Sequence, residues 1–225
     1  MLPAPISQLP RNLFQFGVSI VVALVAMFAT AAADRIANDS PPRHDTTFRE
    51  VPGGKLSVRA VVYDGATNGS LVVQVKNSSK SAQKFSASGL YFIPEGNPDT
   101  APQRLGAVGP MQIMAEATHK EVRELEIAAG ATVEVTLDVF CIDSHRSSPS
   151  PQNRFNVAAT PMPSDLAATI ERRAESAVAA SRAGGAAAPR PAAKGNIQSE
   201  VWKSRDAKWI ELDGEGKQES AKRRK

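Results

Sequence analysis

From Lys55 onwards the chain alternates between apolar and polar positions. Lys55–Tyr63 (KLSVRAVVY) places Leu56, Val58, Ala60 and Val62 on one side, the period of a half-buried strand. Asp64-Gly65 and Asn68-Gly69 punctuate a turn, and Ser70 to Val75 resumes as a strand. Asn77-Ser78-Ser79 supplies turn chemistry, Lys84 to Ile93 reads as a further strand, and Pro94 to Pro110 reads as loop. Glu121–Ile127 alternates imperfectly through Val122, Leu125 and Ile127. Ala129-Gly130 then turns the chain into Thr132–Phe140, where Val133, Val135, Leu137 and Val139 alternate cleanly with Glu134, Thr136 and Asp138. Short strands separated by turn signals, with no helical period before residue 160, predict a mainly β fold: an Ig-like antiparallel β-sandwich over residues 55–143.

Beyond Cys141 the period changes. Ser147–Pro151 (SSPSP) is an extended connector. Ser164 and Asp165 suit a helix start, and Leu166, Ile170, Ala174 and Val178 recur every four residues until Gly184-Gly185. Ala186–Lys194 reads as a linker, Asn196 as the cap of a short helix Ile197–Lys203, and Trp209–Leu212 as a packing segment. Residues 144–213 are thus predicted to be a connector plus a small α-helical appendage, and residues 214–225 a disordered basic tail.

The N-terminus has a different pattern again. Leu13–Ala33 (LFQFGVSIVVALVAMFATAAA) contains no charge, follows Arg11, and ends in Ala31-Ala32-Ala33 before Asp34. Its strongly apolar centre, Val18–Phe28, is short for a membrane span and suits a signal peptide over residues 1–33, cleaved at the alanines. Residues 34–54, with Pro41-Pro42 and Pro52-Gly53-Gly54, read as a disordered lead-in. The expected location is therefore periplasmic, extracellular or on the cell surface, touching a membrane only through the first segment if it is uncleaved.

Charge narrows the partners. The formal net charge is +4, but Lys217, Lys222, Arg223, Arg224 and Lys225 against Glu219 supply +4 within the tail alone. The remainder is near neutral, which argues against nucleic acid and leaves a protein or envelope component as the expected partner.

Candidate chemistry is sparse. The sequence has no glycine-rich phosphate loop, no C-x2-C zinc spacing and no nucleophile elbow. Its one cysteine, Cys141, cannot close an internal disulfide. Cys141, Asp143 and His145 supply too few metal donors without His44 or His119 from elsewhere, so no metal, cofactor or catalytic set is expected. The N-x-S matches at Asn38, Asn68 and Asn77 read as turns.

One pairing is more specific. Phe140-Cys141-Ile142 ends a strand, and Ile197-Gln198-Ser199-Glu200-Val201-Trp202 opens a helix. The combination resembles the thioester domains of bacterial surface proteins, and the run CIDSHRSSP is similar to one in exported bacterial sandwich domains. The resemblance implies that the Cys141 thiol and the Gln198 side chain join as a thioester able to acylate a partner amine. Phe140, Ile142, Ile197, Val201 and Trp202 would pack around the bond. The residues alone leave open a plainer arrangement, with Cys141 buried at a strand end, Gln198 solvated and Trp202 in the core. The expected function is accordingly non-enzymatic: an exported interaction module of the cell envelope. A hydrolase catalytic or accessory domain is the competing class, which convergence of Glu121, Glu124 and Glu126 in a pocket would favour.

Overall fold

The computed structural model describes residues 40–67, 69–115, 118–172, 190–207 and 211–222. The chain divides into two compact units, Met1–Ser40 and Pro41–Lys225. The proposed signal segment lies in the first and outside the described residues. Among the described residues no helix is long and apolar enough to cross a membrane.

The second unit is mainly antiparallel β with a small helical part. Ten strands are described: β1 (Arg49–Glu50), β2 (Leu56–Tyr63), β3 (Ser70–Asn77), β4 (Gln83–Phe85), β5 (Tyr91–Pro94), β6 (Leu105–Ala115), β7 (Thr118–Val122), β8 (Leu125–Ile127), β9 (Thr132–Cys141) and β10 (Phe155–Val157). One sheet runs β1-β2-β3-β9-β6-β5-β10, with β7 beside β6, and β4-β8 form a second. β10, at one end of the order, lies against β2, near the other. The large sheet therefore curls over itself, and its inner face encloses the main core: Val58, Val73, Val75, Leu137, Val139, Phe92 and Phe155 among others.

β2, β3 and β9 form where the alternation predicts them. Two details of β2 differ. A register shift between Ala60 and Val62 is a β-bulge. It flips the alternation, so that Tyr63 rather than Val62 turns inward, with 1% of its surface exposed. Lys84–Ile93 is not one strand but β4 and β5, parted at Gly89, whose φ of 76° suits glycine. The stretch read as loop conceals the start of β6, which begins at Leu105. β10, beyond the predicted domain end at residue 143, completes the sheet.

A second core covers the outer face of β5 and β9. Tyr91, Phe140 and Ile142 pack there with Ala158, Met162, Leu166, Ile170, Val201 and Leu212. Two helices contribute to this layer, α1 from residue 164, described to 172, and α2 (Arg190–Ala207); a third described helix, α3 (Lys217–Lys222), follows. Leu166 and Ile170 are fully buried, as their spacing predicts. Ala174 and Val178 lie outside the described residues, as do Trp209 and Ile210. α2 begins seven residues earlier than the predicted Ile197, absorbing part of the proposed linker. The lead-in and tail also carry structure: Thr46 and Glu219 are both buried.

Candidate functional site

The alternation of β9 carries through its last residues. Cys141 faces the main core with Val139, while Phe140 and Ile142 face the helical layer. α2 brings Gln198 to this strand end. Gln198 Nε2 donates to the Cys141 carbonyl, and Gln198 Oε1 accepts the Cys141 N–H at 3.1 Å. The amide thus reads the main chain of β9 as a neighbouring strand would. The thiol points elsewhere, beside the Tyr63 hydroxyl that the β2 bulge turned inward. Burial pushes its pKa up to about 12, aided by the charge of Asp143 and opposed by the Tyr63 hydrogen bond.

The two predicted residues are therefore neighbours, but Gln198 is buried rather than solvated. Val201 is in the second core. Trp202 packs partly buried against the main core and donates from Nε1 to Gln103 Oε1 at 3.1 Å. Ile197 belongs to α2 by its backbone, and its side chain lies outside the described residues.

Directly beyond Cys141 lies a buried ionic cluster. Asp143 accepts from Arg104 Nε at 2.8 Å, Arg104 Nη2 at 2.7 Å and Arg205 Nε at 2.9 Å. Glu219, from α3, accepts from Arg104 Nη2 at 3.1 Å and from Arg146 Nε at 2.9 Å, and pairs with His145 Nε2 at 2.5 Å. Arg104 Nη1 donates to the Asp213 carbonyl at 2.9 Å. Arg104, Asp143 and Arg205 are fully buried. Burial alone would raise the Asp143 pKa, but the guanidiniums of Arg104 and Arg205 hold it down at about 2. Burial likewise opposes ionisation of Glu219, and Arg146, Arg104 and His145 overcome it to lower its pKa.

Asp143, His145 and Glu219 place donor atoms within 4.8 Å of one another, close enough for a shared cation. Arg104 Nη2 already bridges Asp143 Oδ1 and Glu219 Oε1, and a divalent ion there would face three guanidiniums. The donor set suits an ion-pair lock rather than a metal. His44 is used elsewhere, at 2.9 Å from the Pro151 carbonyl, and the His119 side chain lies outside the described residues. In the sequence His145 and Arg146 stand close enough to Cys141 to assist its thiolate, but the structure pairs both with Glu219. Arg104, Arg205 and Glu219 carried no signal, because isolated charges without a period look like solvated ones.

Open surface lies elsewhere. Two clefts flank the turn Val51–Gly54, which walls both. One, of about 750 Å³, runs past Lys55, Phe85, Ser88 and Glu126. The other, of about 870 Å³, lies between β1 and β10, lined by Arg49, Glu50, Ile93, Asn156, Val157 and Asp213. Gly53 projects with φ 69° and open space beyond it. Of Glu121, Glu124 and Glu126, only Glu126 lines either cleft, and Glu124 pairs with Lys84 at 2.7 Å. Asn77 is fully buried, its Nδ2 donating to Ser81, Ile127 and Ala128 carbonyls, and its Oδ1 holds the following turn. Asn38 and Asn68 lie outside the described residues. No protein-family model, curated protein or solved structure matches this chain.

Proposed function

We propose that the chain is an exported interaction module of the cell envelope, contacting its partner through the two clefts beside Val51–Gly54. The supporting observation is their position. Both clefts share one projecting turn, with apolar residues in their walls and polar ones around them, the usual make-up of a recognition surface. The buried ion pairs, by contrast, are occupied with one another. Export rests on the uncharged run Leu13–Ala33 and its alanine end.

Two measurements test this reading. Protein from the native host should begin at or near Asp34, whereas a cytoplasmic protein starting at Met1 would refute export. A photo-cross-linking residue at Lys55, on the first cleft, should yield an adduct with an envelope component, and one at exposed Ser78 should not. Equal labelling from both positions, or none from Lys55, would overturn the assignment of the surface.

The proximity of Gln198 to Cys141 favours a second reading, the thioester. It requires the thiol to turn from Tyr63 towards the Gln198 side chain and to react despite its burial. Intact mass decides: thioester formation releases one ammonia and leaves the protein lighter by that amount, and a small amine then acylated at the Gln198 carbonyl frees the Cys141 thiol and raises the mass by the whole amine.

A further inference from the structure

We infer that Arg104, His145 and Arg146 form a binding site for a phosphate group, plugged in the resting chain by the carboxylate of Glu219. The site is separate from the two clefts and goes beyond the interaction reading. Its plug rides on a C-terminal strap, residues 211–222, laid over the ionic cluster. Leu212 is the one strap side chain in either apolar core among the described residues. The strap's other holds are polar. Arg104 Nη1 donates to the Asp213 carbonyl at 2.9 Å, and Arg146 Nη2 donates to the Gly214 carbonyl at 3.1 Å. Thr160 Oγ1 donates to Asp213 Oδ2 at 2.8 Å, and the Lys217 N–H donates to Asp99 Oδ1 at 2.6 Å. Polar contacts exchange for water or another ligand at small net cost, so a strap held this way is displaceable.

The carboxylate fits the pocket imperfectly. Glu219 Oε1 meets Arg104 Nη2 at 3.1 Å, Arg146 Nε at 2.9 Å and His145 Nε2 at 2.5 Å. Oε2 accepts from Arg146 Nη2 at 2.5 Å and from the Gly216 N–H at 3.2 Å. Five partners thus crowd onto two oxygens, which offer about four lone-pair positions. Meanwhile Arg146 Nη1 is buried without a hydrogen-bond partner, on a side chain only 7% exposed. Glu215 Oε2, on the strap, is buried and unpartnered too. Native chains leave few such atoms, and each weakens the arrangement that contains it. The pocket therefore holds more donors than its own glutamate uses.

A phosphate group answers both the geometry and the charge. With the strap lifted, the Gly214 carbonyl leaves Arg146 Nη2, and the second edge of that guanidinium, Nη1 and Nη2, opens beside the first. Two guanidinium edges suit a tetrahedral anion, whose oxygens they grip in pairs. Arg104 Nη2 and His145 Nε2 remain for its other oxygens. The strap also carries away Glu215 and Glu219, so that Arg104, Arg146 and Arg205 face Asp143 alone. That leaves the cluster with an excess of two positive charges, and a phosphate monoester carries about −1.5 to −2 at neutral pH. A carboxylate in trans would bring only what Glu219 already supplies: two oxygens and one charge.

Glu219→Ala empties the pocket in the full chain, and inorganic phosphate at constant ionic strength is the probe. Calorimetric titration should show phosphate binding this variant about tenfold or more tighter than the parent, where Glu219 competes, and about tenfold tighter than acetate. Adding Arg146→Lys keeps the charge but removes the fork, and should abolish that gain. Equal binding by parent and variant, or binding that survives Arg146→Lys, would mean an adventitious ion only and overturn the site. In the parent, phosphate should speed amide exchange at Gly216 and Lys217 relative to matched chloride, because the strap lifts. Unchanged exchange there would overturn displacement, and this measurement decides alone should Glu219→Ala not fold. Vesicles containing phosphatidic acid form the second arm. Binding tighter than to inorganic phosphate assigns the group to a lipid headgroup, and equal or weaker binding assigns it to a small phosphate compound.

Discussion

Gln198 and Cys141 meet through the main chain: the Gln198 amide accepts the Cys141 N–H and donates to the Cys141 carbonyl, 57 positions earlier in the chain. The contact depends on the glutamine side chain and not on the sulfur. Gln198→Ala should therefore destabilise the protein by about 1–3 kcal/mol, chiefly the cost of taking the Gln198 donor from the buried Cys141 carbonyl, since the Cys141 N–H also donates to the Thr67 carbonyl at 3.0 Å. Cys141→Ala should retain both hydrogen bonds and cost less than Gln198→Ala in urea unfolding. The reverse order would mean that the thiol carries the junction.

Asp143 answers two buried arginines, and removing its charge takes from both the carboxylate they share, leaving Arg104 with Glu219. Asp143→Asn should cost about 3–5 kcal/mol, the usual penalty for breaking a buried ion pair from one side. Replacing Arg104, Asp143 and Arg205 together by apolar residues of similar volume should cost less than that single change. Denaturant midpoints of the two variants provide the comparison.

Acid should unlock the helical layer. The Asp143 pKa is about 2 in the folded protein against about 3.9 in an unfolded chain. A carboxylate whose folded pKa is depressed contributes fully above its unfolded pKa, and its contribution is lost as the pH falls through the folded one. Glu219 is shifted in the same direction. The thermal midpoint should thus fall between about pH 4 and pH 2, and Asp143→Asn should flatten that slope. An unchanged slope in the variant would assign the acid sensitivity to other groups.

Gly69 leaves room for a cap. A Cβ there would lie 1.9 Å from Asp64 Oδ1, while the Asp64 carboxylate accepts from Ala66 N, Ser70 N and Ser70 Oγ. Gly69→Ala should cost about 1–3 kcal/mol through this overlap. In the Asp64→Ala background most of that cost should disappear, a coupling that a double-mutant cycle measures.

Ile170 is fully buried against the outer face of the sheet. Ile170→Asp should lower stability by several kcal/mol, because an unpaired charge enters an apolar contact. An unchanged thermal midpoint would mean that α1 contributes nothing to the fold.

The strands with clean alternation were legible because one face of each is buried and the other is wet. Thr132–Phe140 is the plainest example, with buried Val135, Leu137 and Val139. The bulge in β2 was not legible: it changes the phase without any glycine or proline to mark it. β6 was hidden because Gly106, Gly109 and Pro110 read as loop punctuation. Within β6, Gly106 instead gives Met162 room, since a Cβ there would come within 2.8 Å of its methyl carbon. β10 is three residues long, too short to display a period. Of the candidate site, the neighbourhood of Cys141 and Gln198 was legible from the two motifs. Its chemistry was not, because sequence does not say whether a strand end offers its side chain or its main chain.

The link between Arg104 and Glu219 spans 115 positions. A chain delivered N-terminus first, by a ribosome or through a translocation pore, exposes Arg104, Asp143 and Arg146 well before Glu219 arrives. The strands can associate meanwhile, and their outer apolar face is covered in steps, first by Leu166 and Ile170 of α1, then by Val201 of α2 and by Leu212. Glu219 therefore closes the cluster late: until it arrives Arg146 lacks this carboxylate and Arg104 is held by Asp143 without its second anion.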